Sequence, residues 1–155
     1  MPATTENIQL VQRLPLDKVD LVHYFGEGAP PIPAEAVAAF APDVEVEFMP
    51  ATLGESPHYR GVKGLVKGWR EWLGPWESYW IEGEEWLDAG DEVVGLARVR
   101  ARTKRDGVVV EHAPAAVWTI KDGKIVRVRF YLDRAEAFEA AGLDRTAASG
   151  RRLPD

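Results

Sequence analysis

Between residues 78 and 132 apolar and polar positions alternate in four runs, divided by the turn signals Ala89-Gly90-Asp91, Arg105-Asp106-Gly107 and Lys121-Asp122-Gly123. A period of two sends successive side chains to opposite faces of a strand, and polar tripeptides containing glycine close hairpins. The pattern therefore predicts four antiparallel strands over residues 78–88, 92–104, 108–120 and 124–132. At about 3.3 Å per residue the middle pair would each span about 40 Å, too long to lie flat in a domain of this size. The sheet must curve, and Gly83, Gly95 and Pro114 are the expected bends, because glycine and proline inside a strand pattern mark bulges, bends or edges.

Helical spacing dominates before residue 74. Thr5 is placed to cap a helix over residues 6–13, which Pro15 interrupts by lacking an amide hydrogen. Asp17 is read as the cap of a second helix, with Asp20 three residues on and Val19, Val22, His23 and Phe25 close to one face. The stretch 26–33 holds three prolines and two glycines and reads as a stiff connection. Pro33 suits the first turn of a short helix over residues 34–41, presenting Val37 and Phe40 and ended by Pro42. A strand follows in which Val44, Val46 and Phe48 face inward and Glu45 and Glu47 face water. Residues 49–60 read as a loop. Over residues 61–73, Leu65, Val66, Trp69 and Trp72 or Leu73 form one helical face, and Gly64 and Gly68, poor helix formers, suit close packing. The last helix is marked by Asp133 as N-cap, Glu136 as its box partner, Phe138 as anchor and Gly142-Leu143 as a Schellman-type ending. These elements make one domain over residues 1–143, and residues 144–155 have little to bury and read as a flexible tail.

Composition narrows the partners. The formal charge of −6 supplies no basic stripe with which to neutralise phosphates, so a nucleic-acid partner is not expected. There is no cysteine and the three histidines show no ligand spacing, so neither a disulfide framework nor a metal is expected, and no organic cofactor is called for. The first ten residues carry no basic region followed by an apolar run, and no apolar run approaches the ~20 residues of a membrane helix. A cytoplasmic protein with no membrane partner is the expectation.

The runs WLDAGDEVVGLARVRAR (residues 86–102) and WTIKDGKIVRVRFYLDRAEAFEAAGL (residues 118–143) resemble the SnoaL-like family of the nuclear transport factor 2-like superfamily, the likeness extending over residues 7–143. The resemblance implies an α+β cone: helices packed on a strongly curved, mainly antiparallel sheet that encloses an apolar pocket, with the open sheet face often used for homodimerisation. It also allows two known activities to be tested. Limonene epoxide hydrolases place a catalytic aspartate where this chain has Phe130, and their arginine and second aspartate fall at Arg98 and Arg100; one arginine matches and both carboxylates are absent. Ketosteroid isomerases carry a general-base aspartate before a proline at the end of the first strand, where this chain has Met49 before Pro50. The superfamily hosts isomerases, hydrolases, cyclases and non-catalytic binders, so function must come from the site.

His112 is the leading candidate for acid–base work, since it interrupts a face formed by Val108, Val110, Ala116, Trp118 and Ile120. A three-residue Lys121-Asp122-Gly123 loop with a glycine bulge puts it on the face of Val126, Val128 and Phe130 and into the pocket. A two-residue loop puts it beside Arg127 and Arg129. The first register groups apolar residues together and is preferred. A hydrogen-bonded core histidine is the plain alternative. Arg98, Arg100 and Arg102 share the opposite face of their strand from Ala97, Val99 and Ala101. They form either a solvated or dimer-contacting face, or, through Arg98, a holder for a carboxylate or enolate-like charge. A three-residue Arg105-Asp106-Gly107 loop would set Arg100 opposite His112.

Six tryptophans, Trp69, Trp72, Trp76, Trp80, Trp86 and Trp118, with Tyr59 and Tyr79, either line a cavity for a flat apolar ligand or serve as core and dimer contacts. The expected substrate-binding set is Tyr59, Trp69, Trp72, Arg100, Trp118, Val128 and Phe130, with His112 and Arg98 catalytic. Tyr59 is a further candidate for polarising the ligand. His58 and Glu55 are weak candidates at the pocket mouth, His23 is read as structural, and the acidic group Glu82, Glu84, Glu85, Asp88, Asp91 and Glu92 as solvated. The functional expectation is a small-molecule-binding protein with acid–base catalysis of the isomerase, cyclase or hydrolase type. The alternative is a non-catalytic binding or dimeric interaction module.

Overall fold

The computed structural model describes residues 3–14, 17–26, 32–49 and 58–143. In chain order the elements are α1 (Ala3–Gln12), β1 (Val19–Asp20), α2 (Leu21–Phe25), α3 (Ala34–Ala38), β2 (Phe40–Met49), β3 (His58–Arg60), α4 (Gly61–Leu73), β4 (Trp76–Ala89), β5 (Glu92–Thr103), β6 (Val109–His112), β7 (Ala115–Lys121), β8 (Lys124–Tyr131) and α5 (Arg134–Ala140). The strands form one sheet in the order β1-β4-β5-β7-β8-β2-β3, with β6 paired to β5 alone. Every pairing is antiparallel except β2 with β8. The fold is an α+β cone of the nuclear transport factor 2-like type, as the sequence suggests.

The curvature arises where the backbone pattern breaks. A bulge interrupts the β4–β5 ladder between Gly83 and Glu85. The third expected strand divides at Ala113-Pro114, because proline cannot donate to a ladder, so β5 pairs with β7 through Glu92–Leu96 and with β6 further along through Val99, Arg100, Ala101 and Arg102. Gly95, the third expected bend, instead sits in unbroken register between Trp86 and Ala116. Its lack of a side chain opens space beside Trp86 and Trp118, whose atoms would lie 3.5–3.6 Å from a Cβ placed there.

Two hairpins differ from expectation. Asp122 and Gly123, with φ of 53° and 76°, make a two-residue turn rather than a three-residue loop. A bulge opposite Thr119 and Ile120 then restores the register, so Trp118 pairs with Val128 and Ala116 with Phe130. His112 therefore does share the concave face with these apolar residues, by a different turn and a compensating bulge. In the β5–β6 hairpin Arg102 pairs with Val109, and the Thr103 N–H donates to Val108 O at 3.0 Å. The connection is longer than three residues, so Arg100 sits opposite Glu111, and Val99 takes the place opposite His112.

Two apolar layers flank the sheet. On the concave side Val44, Val46, Phe48, Val93, Val99, Val128 and the Trp118 ring pack against α1, α2 and α4. On the convex side Leu87, Val94, Leu96, Ala115, Val117 and Tyr131 are covered by α5 through Ala137 and Phe138. This explains the strong signals around α5: Asp133 accepts from the Ala135 N–H at 2.8 Å, Leu143 N–H donates to Phe138 O, and Gly142, at φ +75°, donates to Glu139 O. In α4, a Cβ on Gly68 would come within 2.6 Å of Phe48 Cε1 and 2.9 Å of the Tyr59 ring, so that glycine lets the helix lie directly on β2 and β3.

The N-terminal third departs most. Thr5 lies inside α1 instead of capping it. Asp20, not Asp17, caps α2, accepting from the Val22 N–H, and its neighbour Val19 pairs with β4. Pro33 is the N-cap of α3, which ends at Ala38; Val37 is 39% exposed, and Phe40-Ala41-Pro42 already belong to β2. Pro42 is tolerated there because the β2–β8 register breaks between Phe40 and Glu45. Part of the expected 49–60 loop is strand β3, paired with β2. Pro15, most of the 26–33 connection, Glu55 and the expected tail at residues 144–155 lie outside the described residues.

Candidate functional site

The concave sheet face and the helices enclose a cavity of about 100 Å³. A single water needs about 10–15 Å³ on a comparable measure, so this is more than a packing defect. Its floor is the middle of the sheet: Gly83 and Trp86 from β4, Gly95 and Ala97 from β5, Ala116 and Trp118 from β7, and Phe130 from β8. The α4 side contributes Trp69 and Trp72, while Val11, Leu14, Asp17 and Leu21 close the N-terminal side. The walls are held by ring contacts: Phe130 meets Phe48 at 5.0 Å, Trp69 at 4.9 Å and Trp118 at 5.8 Å between centroids. A larger, open groove between α3 and α4, lined by Ile32, Val37, Val62 and Val66 with Lys63 and Lys67 at its edge, has no such aromatic enclosure.

Trp69, Trp72, Trp118 and Phe130, all expected in the binding set, are brought together in the cavity wall. Val128, fully buried, lies in the core beneath. Tyr59 is not in the wall; it packs edge-on against Phe48, and its hydroxyl donates to Glu71 at 2.5 Å. Arg98 and Arg100 are on the convex face, away from the cavity. Arg98 pairs with Glu84 and is 70% exposed, while Arg100 pairs with Glu111 and is 66% exposed. The four-residue turn in the β5–β6 connection, and not any feature of the strand itself, separates Arg100 from His112. Not all the acidic group is solvated: Glu84 holds both Arg98 and Arg134, whose guanidinium groups keep its carboxyl below the usual range. Glu92 accepts from Arg129 and Thr119. Exposed His23 and His58 lie near Asp20 and Glu45 respectively.

His112 faces inward but stands one residue behind the cavity wall. Its Nε2 is 3.2 Å from the hydroxyl of Tyr79, which lines the cavity and accepts from Trp72 Nε1 at 3.2 Å. With the Tyr79 hydroxyl donating to Nε2, the proton of the ring sits on Nδ1, a buried atom with no partner among the described residues. Burial pushes the Tyr79 phenol up to about 12, so it stays protonated, and burial lowers the pKa of His112. The polar chain offered to the cavity is therefore Trp72–Tyr79–His112, with tyrosine in front. The sequence put Tyr79 only among eight aromatic candidates. Its alternation with exposed Trp80, which points to the convex side and bonds Glu82, was the available signal. Trp86 was likewise named only among those eight, and Gly83 and Asp17 were not assigned to the site at all.

The depressed pKa of His112 makes a pH prediction. Protons bind the unfolded imidazole, near pKa 6.5, more tightly than the folded one, so the contribution of His112 is fully present above about pH 6.5 and falls as pH drops through the folded value. Denaturant unfolding at pH 7.5 and pH 5.5 should show a smaller acid loss for His112→Asn than for the unsubstituted chain. Equal losses would contradict the burial of this imidazole.

Among the described residues no group of three or more His, Asp or Glu side chains converges to hold a metal ion, and no helix is long and apolar enough to cross a membrane. No curated protein matches the chain. Among solved structures, an NTF2-like protein from Burkholderia thailandensis is 31% identical, over 70% of this chain and 84% of that one, with a TM-score of 0.57. A putative SnoaL-like polyketide cyclase from Jannaschia is 16% identical over 93% of this chain and 96% of that one, with a TM-score of 0.65. TerC, co-crystallised with polyporic acid, is 21% identical over 70% and 84%, with a TM-score of 0.55. The model of the SnoaL-like domain matches residues 22–128, more than two thirds of the sequence. Cone, register and match agree: the chain belongs to the SnoaL-like family of nuclear transport factor 2-like proteins.

Proposed function

We propose that this protein binds a small, flat, largely apolar organic molecule in the aromatic cavity. The observation that carries this reading is the enclosure of that hollow by ring systems from four strands and α4, with few polar groups directed at it. Such walls favour planar hydrophobes and fix orientation through a small number of hydrogen bonds. TerC, of similar fold, takes polyporic acid, which supports ligand binding in a cone of this shape. Native mass spectrometry of the protein as purified, followed by extraction and identification of the released compound, tests the reading. A bound planar organic molecule is expected. An unliganded protein that also fails to bind any planar aromatic at millimolar concentration would overturn it.

Acid–base catalysis is the second reading, favoured by the Tyr79–His112 contact. A phenol backed by a neutral imidazole can serve as the base of an enolisation or ring closure, the Tyr79 oxygen taking a proton from the ligand as its own proton passes to His112 Nε2. Arg98 and Arg100 take no part in it from the convex face. That face, where Trp80 is 40% and Val109 38% exposed beside the arginines, is the surface we assign to a homodimer. Sedimentation at micromolar concentration showing monomer alone would contradict the assignment.

A further inference from the structure

The charge lining the cavity is one-sided. Among the described residues of its wall, Asp17 is the sole ionisable group of either sign besides the tyrosines, while Arg98, Arg100, Arg102, Arg127 and Arg129 all lie on the convex face. Asp17 stands at the solvent-exposed mouth. Its Oδ1 accepts from the Gly83 N–H at 2.7 Å, at the β4 bulge, and Oδ2 has no partner among the described residues. Trp86 lies across the same two glycines. A Cβ on Gly83 would be 2.6 Å from Trp86 Cζ2 and 3.4 Å from Asp17 Cγ, and one on Gly95 would be 3.6 Å from Trp86 Cδ1. A Cβ at Gly83 already collides with the Trp86 ring, so the indole closes the β4 side of the entrance, and Asp17 is the charged group of the described wall that stands there, with apolar aromatic volume beyond it.

Resting on the small-molecule reading above, we propose that the cavity selects a planar hydrophobe carrying a cationic nitrogen at one end, such as an arylalkyl amine. The rings lie among Trp69, Trp72 and Trp118, and the ammonium sits against the Asp17 carboxylate at the mouth. The carboxylate attracts a cation, and the aromatic wall behind it screens that attraction less than bulk water would. An anion of the same shape meets Asp17 with no compensating guanidinium or ammonium among the described residues of the wall.

Calorimetric titration of the full chain at pH 7 with three matched probes tests this: naphthalene-1-methylamine, naphthalene-1-methanol and naphthalene-1-carboxylate. The amine should bind about tenfold or more tightly than the alcohol, and the carboxylate most weakly. Asp17→Asn, which keeps an oxygen for the Gly83 N–H, should remove the preference for the amine and leave the alcohol unchanged. Should that variant fold poorly, raising salt on the unsubstituted chain should narrow the gap between amine and alcohol. Alcohol or carboxylate binding as tightly as the amine would overturn the charge preference while leaving the pocket intact. Failure of all three to bind would overturn both.

Discussion

Replacing Trp69 by alanine should destabilise the fold by about 3–5 kcal/mol, the range for truncating a large buried aromatic ring. Trp69 is only 5% exposed and is the hub of the concave layer. It stacks on Phe25 at 5.8 Å with an interplanar angle of 11°, and meets Phe48, Tyr79 and Phe130 edge-on at 5.4, 6.2 and 4.9 Å. Alanine would remove contacts to α2, β2, β4 and β8 at once and enlarge a hollow that is already present. Relaxation cannot close such a space cheaply, since the rings around it come from four different elements. Trp69 Nε1 has no hydrogen-bond partner among the described residues, so Trp69→Phe forfeits no such bond and should cost far less than alanine. Equilibrium denaturation in guanidinium chloride checks both, and a loss below about 1 kcal/mol for Trp69→Ala would mean the ring is not the hub described here.

The second large effect concerns binding. Gly95→Leu should weaken binding of planar aromatic probes on the order of 100-fold, equivalent to about 2.7 kcal/mol, while unfolding changes much less. Gly95 lies in regular strand register, and a Cβ there meets Trp86 and Trp118 only at ordinary van der Waals distance. The added isobutyl group therefore enters the cavity instead of colliding with backbone. Gly83→Leu makes the contrast, because its Cβ would be driven into Trp86 and the fold itself should suffer. Titration by calorimetry beside thermal unfolding separates the two outcomes. Unchanged affinity for Gly95→Leu would place the binding site elsewhere.

The sequence made the sheet legible because its turns and its period-two pattern speak for themselves, and α5 because a cap and a Schellman ending bracket it. The N-terminal third was harder to read. Short helices there are decided by tertiary contacts, as when Val19 joins β4 and turns Asp20, not Asp17, into the cap. Part of the cavity wall was legible from facing alone, Trp69 and Trp72 on the helical face of α4 and Trp118 and Phe130 on the period-two face of the sheet. Arg100 was set opposite His112 by a connection whose length a turn motif does not fix, and Arg98 was carried toward the pocket by the epoxide-hydrolase resemblance, whereas both face the convex side. The face of His112 was read correctly from an incorrect turn, since a later bulge made up the missing residue. Nothing local signals that Tyr79 stands between His112 and the hollow, or that Asp17 bends back to the Gly83 amide 66 residues away.

The central claim is that four indoles, two from the sheet floor, Trp86 and Trp118, and two from α4, Trp69 and Trp72, surround one ligand-sized hollow. The six indole N–H resonances report on this directly. Titrating a planar aromatic alcohol into the ¹⁵N-labelled protein should move the signals of Trp69, Trp72, Trp86 and Trp118 together along one saturable curve. Those of Trp76, outside the wall, and Trp80, on the convex face, should stay in place. Shifts confined to Trp80, or no saturable shift among the four, would contradict the account.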